Sequence, residues 1–173
     1  NFKKNSKVVP LILHDIAELE DYLNLGKIFY LHPSTELMTG TDLRDNAILS
    51  KNIENNPTTK YLEEELKQAK TLLYITDNCG EIVLDKIFIE ELKKRYGNLE
   101  ITVMVRGGLA INDATIEDAQ EIGLTKIVPV ISNGAAIAGT VKEQLSKEAR
   151  KQLDSADVII AKGMGNFESM YQE

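Results

Sequence analysis

Residues 71–105 read TLLYITDNCGEIVLDKIFIEELKKRYGNLEITVMV, and this stretch decides the fold. It begins and ends with short apolar runs, at 71–76 and 101–105, whereas its middle repeats apolar side chains at helical spacing and closes on Gly97. A strand, a helix and a second strand in this order form a βαβ unit, in which the two strands run parallel. The stretch therefore predicts an α/β protein.

The same alternation continues towards the end of the chain. Two further apolar runs, KIVPVI at 126–131 and DVIIA at 157–161, predict strands, and the polar-faced stretches 112–123 and 140–156 predict helices. Strands that are apolar along nearly their whole length are typical of a parallel sheet covered by helices on both faces. We therefore predict a Rossmann-like three-layer α/β domain with a mainly parallel sheet.

The pattern is weaker before residue 57. Apolar runs at 7–13 and 27–32 could form strands around a helix at 15–25, and residues 32–60 are rich in turn formers. We divide the chain into an atypical N-terminal segment of uncertain structure, 1–56, and an α/β domain, 57–173. Because the sequence opens on NFKKNSK and stops soon after an apolar run, we interpret it as a fragment, truncated at the C-terminal end of this domain.

Composition excludes several classes of function. Twenty basic residues stand against 27 acidic ones, a formal charge of -7, which opposes nucleic-acid binding. The single cysteine cannot form an intramolecular disulfide, and the apolar stretch 8–13 is too short for a signal core or a membrane span. We therefore expect a cytoplasmic protein without nucleic-acid or membrane partners, whose oligomeric state the sequence leaves open.

Polar side chains follow each predicted strand, where open parallel sheets bind their ligands. Asp77 and Asn78 follow the first strand of the unit, and Asp113 lies beyond the second. Since neighbouring strands are about 4.8 Å apart, these side chains could reach a common ion. Oxygen-only ligands favour a hard cation such as Mg²⁺ or Mn²⁺.

A simpler interpretation competes with the metal site. Asp113 could cap the helix that follows it, and Asp77 with Asn78 could form an ordinary turn. Arg106 and Lys162, however, are predicted at the same edge of the sheet, each directly after an apolar run. An acidic pair beside two cations suits a metal-bridged phosphate, so the pattern favours a site.

Cys79 and the two histidines are assigned no catalytic or ligand-binding role. A thiol at a helix N-terminus can act as a nucleophile, but no arginine follows Cys79 in the cradle that a thiol phosphatase requires. We interpret Cys79 as a small packing residue. His14 and His32 lie at the ends of weak candidate strands, and we expect them to be surface or capping groups.

Four segments that follow the strands carry a family resemblance. In this order and spacing they resemble the DUF89 family of metal-dependent damage-control phosphatases, in its short archaeal and bacterial branch. The resemblance covers roughly residues 60–173, and it rests on DNCGE (77–81), VRGGLAINDATIEDA (105–119), SNGAAIAGT (132–140) and AKGMGNFES (161–169).

The resemblance implies a catalytic α/β domain that uses one divalent metal ion, Mn²⁺, Mg²⁺, Co²⁺ or Ni²⁺. It implies hydrolysis of phosphate esters of small, often damaged metabolites, such as sugar phosphates or phosphopantetheine-like compounds. The implied metal ligands are Asp77, Asn78 and Asp113, which form the catalytic set together with Lys162 as a phosphate clamp. The positions that line the implied pocket are Glu81, Arg106, Asn112, Lys162, Asn166 and Glu168.

Lys162 follows the last predicted strand, so we expect it at an exposed strand end, where it serves charge rather than packing. Two alternatives to the phosphatase stay open. One is a non-catalytic module on the same fold that binds a metabolite or anion, or has a regulatory role. The other is a structural domain whose polar strand ends are only caps and turns.

Overall fold

The computed structural model describes residues 7–10 and 57–170. Within these ranges the chain forms five strands, five α-helices and two short 3-10 helices. In chain order they are β1 (Lys7–Pro10), α1 (Pro57–Gln68), β2 (Thr71–Ile75), α2 (Ile82–Arg95), β3 (Glu100–Val105), α3 (Ile116–Glu121), the 3-10 turn Leu124–Lys126, β4 (Val130–Ser132), the 3-10 turn Lys142–Gln144, α4 (Lys147–Ser155), β5 (Val158–Ala161) and α5 (Met164–Met170).

The strands form one sheet in the order β1-β5-β2-β3-β4, and every neighbouring pair is parallel. Tyr74 at its centre lies opposite Ile160 on one side and Val103 on the other. Since all strands point the same way, their carboxyl ends share one edge of the sheet. The predicted α/β class and parallel sheet are confirmed.

Helices cover both faces of this sheet, because alternate strand residues point to opposite faces. Leu72 and Tyr74 belong to the core beneath α1, α2 and α3, whereas Leu73 and Ile75 belong to a second core beneath α4 and α5. Full burial of one such leucine or isoleucine stabilises the fold by about 1.5–3 kcal/mol. The protein therefore has the predicted three layers, with the sheet in the middle.

The connections create a point in the sheet where the direction of winding reverses. From β2 the chain moves outward through α2, β3 and α3 to β4, and then returns through α4 to place β5 on the other side of β2. The reversal lies between β2 and β5, and in open α/β sheets this is where ligands bind. Asp77 and Lys162 follow these two strands directly.

Two predicted elements are shorter than expected for local reasons. The strand predicted at 126–131 is confined to β4, because Pro129 precedes it and cannot donate a ladder hydrogen bond. The helix predicted at 140–156 begins only after Ser146, whose hydroxyl accepts a hydrogen bond of 3.1 Å from the Ala149 N–H. This N-cap fixes the start of α4.

The remaining predictions fall mostly outside the described residues. The helix at 15–25, the strand at 27–32, His14 and His32 all lie there, whereas the described part of the apolar run at 7–13 forms β1. The division of the chain at residue 57 stays a prediction. No helix within the described ranges is long and apolar enough to span a membrane.

Candidate active site

The loops after β2 and β3 are joined directly by their backbones. Asn78 and Asp113 form an isolated antiparallel bridge, flanked by hydrogen bonds from the Cys79 N–H to the Asn112 carbonyl (2.8 Å) and from the Ala114 N–H to the Asp77 carbonyl (2.7 Å). This pairing holds the three predicted metal ligands next to one another at the carboxyl edge. It also explains why the helix predicted at 112–123 starts only at Ile116.

Asp113 does not cap that helix. The N-cap of α3 is Thr115, which forms a capping box with Asp118: the Thr115 N–H donates to Asp118 Oδ2 at 2.7 Å. Asp113 is buried and accepts a hydrogen bond of 2.6 Å from Nε of Arg106 instead. The helix-cap interpretation of Asp113 is therefore wrong.

Arg106 is a buried link between three segments. Besides its contact with Asp113, it donates through Nη1 to the Gly139 carbonyl and through Nη2 to Oδ1 of Asn166, at 3.4 Å. Three of its five N–H donors are thus engaged by the protein. Its predicted contact with substrate stays a prediction, whereas its hold on Asp113 is a feature of the structure.

The Asn166 side chain is completely buried and its amide is fully used by the protein. Its nitrogen donates to the carbonyls of Thr76 (3.0 Å) and Lys162 (2.6 Å), and its oxygen accepts from Thr140 (2.8 Å) as well as from Arg106. An amide has two donors and two acceptor sites, so none is left for a ligand. Asn166 joins the loops behind the site, which differs from its predicted place lining the pocket.

Lys162 is 1% exposed, so the expectation of an exposed lysine is wrong. The first turns of α2 cover it, and its Nζ donates to Asp85 Oδ1 at 2.7 Å and to Glu81 Oε2 at 2.8 Å. Burial alone would lower the pKa of Lys162, but the two carboxylates outweigh it and raise the pKa above its usual value. The ammonium is therefore charged, and one of its three donors is left over from these contacts.

Glu81 connects the lysine to a predicted metal ligand. Its second oxygen, Oε1, accepts a hydrogen bond of 3.0 Å from the amide nitrogen of Asn78. Because an amide donates through nitrogen and accepts through oxygen, this contact turns the Asn78 oxygen away from Glu81. The oxygen is thereby available as a ligand beside Asp77 and Asp113.

Asp77 is half-buried, and its pKa is raised from 3.8 to about 6. Burial is the main cause, and the negative charges of Glu81 and Asp113 add to it, whereas Lys162 and Arg106 oppose it. With Asp85, four carboxyl groups surround two cations here, so the edge carries surplus negative charge. A bound cation would offset this surplus.

The donor set suits a hard divalent cation, because carboxylate and amide oxygens are the ligands such ions prefer. In the described part of the chain, no group of three or more His, Cys, Asp or Glu side chains is placed so that it could hold a metal ion. The predicted set differs from such a group because its third member is the amide of Asn78. The residues therefore fit the ion that the resemblance implies.

Three other predicted residues are exposed. Asn112 contributes its carbonyl to the bridge while its side chain faces solvent, and Glu168 is exposed on α5, so their predicted contacts with substrate stay predictions. Cys79 is also exposed, and its interpretation as a packing residue is wrong.

Asp85 and Tyr74 are buried site residues that the sequence prediction missed. The Tyr74 hydroxyl donates a hydrogen bond of 2.7 Å to Asp85 Oδ1, the same oxygen that accepts a hydrogen bond from Lys162. A sequence signal existed, because Asp85 is three residues before Phe88 and seven before Leu92, on the apolar stripe of α2. A carboxylate on such a stripe needs a buried partner.

Asp113→Asn is expected to destabilise the metal-free protein by about 2 kcal/mol, because it weakens a charged hydrogen bond to buried Arg106. Denaturant unfolding of the metal-free protein measures this. Asp154→Asn is the matched control, since that carboxylate is 40% exposed and lies 3.7 Å from Lys142, where a surface ion pair contributes little. Equal stability of the Asp113→Asn and control variants would contradict a structural role for the Arg106 pair.

Comparison with known proteins identifies relatives of this chain. The model of the damage-control phosphatase ARMT1-like domain matches residues 37–173. A protein of Pyrococcus horikoshii named damage-control phosphatase is 46% identical over 112 residues, which are 65% of this chain and 39% of that protein. A damage-control phosphatase of Archaeoglobus fulgidus is 43% identical over 108 residues, 62% of this chain and 36% of that protein.

A solved structure of a related protein also resembles this chain. The crystal structure of a DUF89 family protein from Pyrococcus horikoshii matches with a TM-score of 0.64 and 44% sequence identity, over 66% of this chain and 40% of that one. The chain thus spans less than half the length of these relatives.

Proposed function

Since the chain belongs to the damage-control phosphatase ARMT1-like domain family, we propose that it hydrolyses phosphate esters of small, damaged metabolites at the carboxyl edge of its sheet. Sugar phosphates and phosphopantetheine-like compounds are the proposed substrate classes. The observation that carries the proposal is the pairing of residues 78 and 113, which brings the proposed ligands Asp77, Asn78 and Asp113 together beside β2, close to the charged ammonium of Lys162.

We assign a single divalent ion, Mn²⁺, Mg²⁺, Co²⁺ or Ni²⁺, to Asp77, Asn78 and Asp113. When bound, such an ion supplies Lewis-acid polarisation of a phosphoryl oxygen. The protein supplies the arrangement of the ligands. Arg106 holds the Asp113 carboxylate at 2.6 Å, and Glu81 orients the Asn78 amide at 3.0 Å. Such outer contacts fix the direction of ligand oxygens.

Lys162 supplies positive charge for the transferred phosphoryl group. Two of its N–H donors are fixed by Asp85 and Glu81, which leaves the third for a phosphoryl oxygen. Because the ammonium is shielded from water, its attraction for developing negative charge is screened less than it would be in bulk solvent. The proposed partner is therefore a small phosphorylated metabolite, whose negative charge would be balanced by this cation and by a bound metal ion.

A metal-dependence panel tests the function. The metal-stripped protein is incubated with p-nitrophenyl phosphate, a set of sugar phosphates and 4′-phosphopantetheine, each with Mg²⁺, Mn²⁺, Co²⁺ or Ni²⁺, and released phosphate is measured. We expect hydrolysis with at least one metal and its loss on chelation. No hydrolysis with any of the four metals, combined with measurable binding of inorganic phosphate, would favour the non-catalytic binding module instead.

A further inference from the structure

We infer that Tyr74 and Asp85 are positioning residues, which fix the Lys162 ammonium at the edge of the sheet through one carboxylate oxygen. Neither residue lies among the predicted ligands or pocket residues. The inference rests on the proposed function, since it explains how the cation of that site is held in place. It concerns the contact of Lys162 with Asp85, which is separate from the donor left for a phosphoryl oxygen.

A single atom, Oδ1 of Asp85, links Tyr74 to Lys162. Oδ1 of Asp85 accepts hydrogen bonds from the Tyr74 hydroxyl and from Lys162 Nζ, both at 2.7 Å. The other oxygen, Oδ2, is buried and has no hydrogen bond to any described residue. The ammonium is therefore anchored by the oxygen that Tyr74 also holds, so a shift of that oxygen would move the lysine.

The anchor itself is rigid. Tyr74 is fully buried on the central strand β2, and its ring packs against Phe88 with 5.9 Å between ring centroids. Side chains in such close packing occupy single rotamers. The position of its hydroxyl is thus set by the sheet and by α2 together.

Stability alone does not account for a charged pair at this place. Taking a carboxylate and an ammonium out of water costs several kcal/mol per ion, and apolar replacements of similar volume are often as stable or more stable. Asp85 occupies the apolar stripe of α2, where a leucine would continue the pattern. Its carboxylate is better explained by the geometry that it imposes on Lys162.

The chain of contacts extends from the core to a proposed metal ligand. Lys162 Nζ also binds Glu81 Oε2, and Glu81 Oε1 binds the Asn78 amide. A displaced ammonium would therefore loosen Glu81, and with it the orientation of Asn78. This connection makes the buried pair relevant to catalysis although neither residue faces the substrate.

Three substitutions separate geometry from charge. Tyr74→Phe keeps the ring and removes the hydroxyl, and we expect about a 10-fold lower kcat/KM, while Asp85→Leu removes the anchor and should lower it about 100-fold, as is usual for outer partners of a site. Asp85→Asn keeps an oxygen that can accept both hydrogen bonds, so we expect a loss of about 5-fold or less. A kcat/KM close to that of the wild type in Asp85→Asn would distinguish positioning by hydrogen bonds from a requirement for the negative charge.

Matched controls exclude a general effect on the fold. Tyr96→Phe also removes a buried tyrosine hydroxyl, but one that bonds no described residue and lies beyond the far end of α2; it should leave kcat/KM unchanged. In a Lys162→Met background, Tyr74→Phe should add less than about a 2-fold loss, because residues that act through one group are not additive. A purely structural role would give the same loss in both backgrounds.

Binding of inorganic phosphate to the Mn²⁺-loaded proteins, followed by calorimetry, gives a second readout. We expect weaker phosphate binding by Tyr74→Phe and Asp85→Leu than by the wild type. If the wild type hydrolyses no ester, the proposed function fails and phosphate affinity alone decides the inference. Unchanged kcat/KM and phosphate affinity in folded Tyr74→Phe and Asp85→Leu, equal losses in both backgrounds, or no phosphate binding by an inactive wild type would each overturn it.

Discussion

Replacing Asp77 by asparagine is expected to abolish the stabilisation of this protein by Mn²⁺ and to lower phosphatase activity by more than about 100-fold. Even outer partners of metal ligands typically contribute 10- to 100-fold, so the loss of a charged ligand should exceed that range. The same substitution should make the metal-free protein more stable at neutral pH. The two effects have opposite signs, which distinguishes a ligand from a merely structural carboxylate.

The sign of the stability change follows from the raised pKa of Asp77, about 6 in the folded protein against 3.8 for the ordinary group. Below pH 3.8 the carboxyl is protonated in both folded and unfolded states and contributes nothing. Between these values the folded state binds more protons, so rising pH destabilises it, and above pH 6 the cost is complete. Asparagine never ionises, so the stability difference between variant and wild type should grow from pH 4 to pH 6 and then level off.

Thermal melts of both proteins, at several pH values and with or without Mn²⁺, measure both effects. Asp154→Asn serves as the control for loss of a surface carboxylate, because its side chain is 40% exposed. It should follow the wild type in pH dependence and in the metal-induced shift. An equal Mn²⁺ shift in Asp77→Asn and wild type would remove Asp77 from the proposed metal site.

The fold was predictable because its decisive signals are local. Each strand is a short apolar run, and the 71–105 segment alone defines a βαβ unit. Element ends were less predictable, since they depend on single caps and on proline. Ser146 sets one of these ends through a cap hydrogen bond, and Pro129 sets another because it lacks an N–H.

The candidate site was predictable only in its position. Parallel strands bring their carboxyl ends to one edge, so Asp77 and Asp113 had to lie near each other. Which carboxylate pairs with which cation depends on contacts between distant segments. The burial of Lys162 under α2 and the pairing of Arg106 with Asp113 are of this kind. The sequence left two interpretations of Asp113 open; Thr115, two positions later, takes the cap and excludes one of them, and the metal-ligand interpretation stays a prediction.

Gly163→Ala is expected to displace Asp77 and thereby to eliminate metal binding without removing any polar group. Gly163 has a φ of +82°, and a Cβ at this position would collide with the Asp77 carboxylate. The new methyl group therefore either pushes the carboxylate away or shifts the loop after β5. Since a displacement of about 1 Å at a catalytic group can lower the rate about 100-fold, we expect a loss of that size.

Gly123→Ala is the matched control for backbone strain. Gly123 has a similar φ of +74°, but a Cβ there would have nothing within 4 Å. Both variants should lose the roughly 1–2 kcal/mol that a left-handed conformation costs an L-residue, and Gly163→Ala should lose more because of the collision with Asp77. Only Gly163→Ala should also lose activity and the Mn²⁺-induced rise in melting temperature.

Lys162 precedes Gly163, so a loss of activity alone could come from the lysine. The Mn²⁺ shift alone does not separate the two causes, because a displaced Lys162 would also loosen Asn78 through Glu81. An Asp77→Ala background separates them: with the carboxylate removed, Gly163→Ala should cost no more stability than Gly123→Ala does, since only backbone strain is left. A Gly163→Ala variant that keeps the full Mn²⁺ shift, or that costs the same stability in both backgrounds, would show that Gly163 does not seat Asp77, and the close approach of the β2 and β5 loops would then have no part in metal binding.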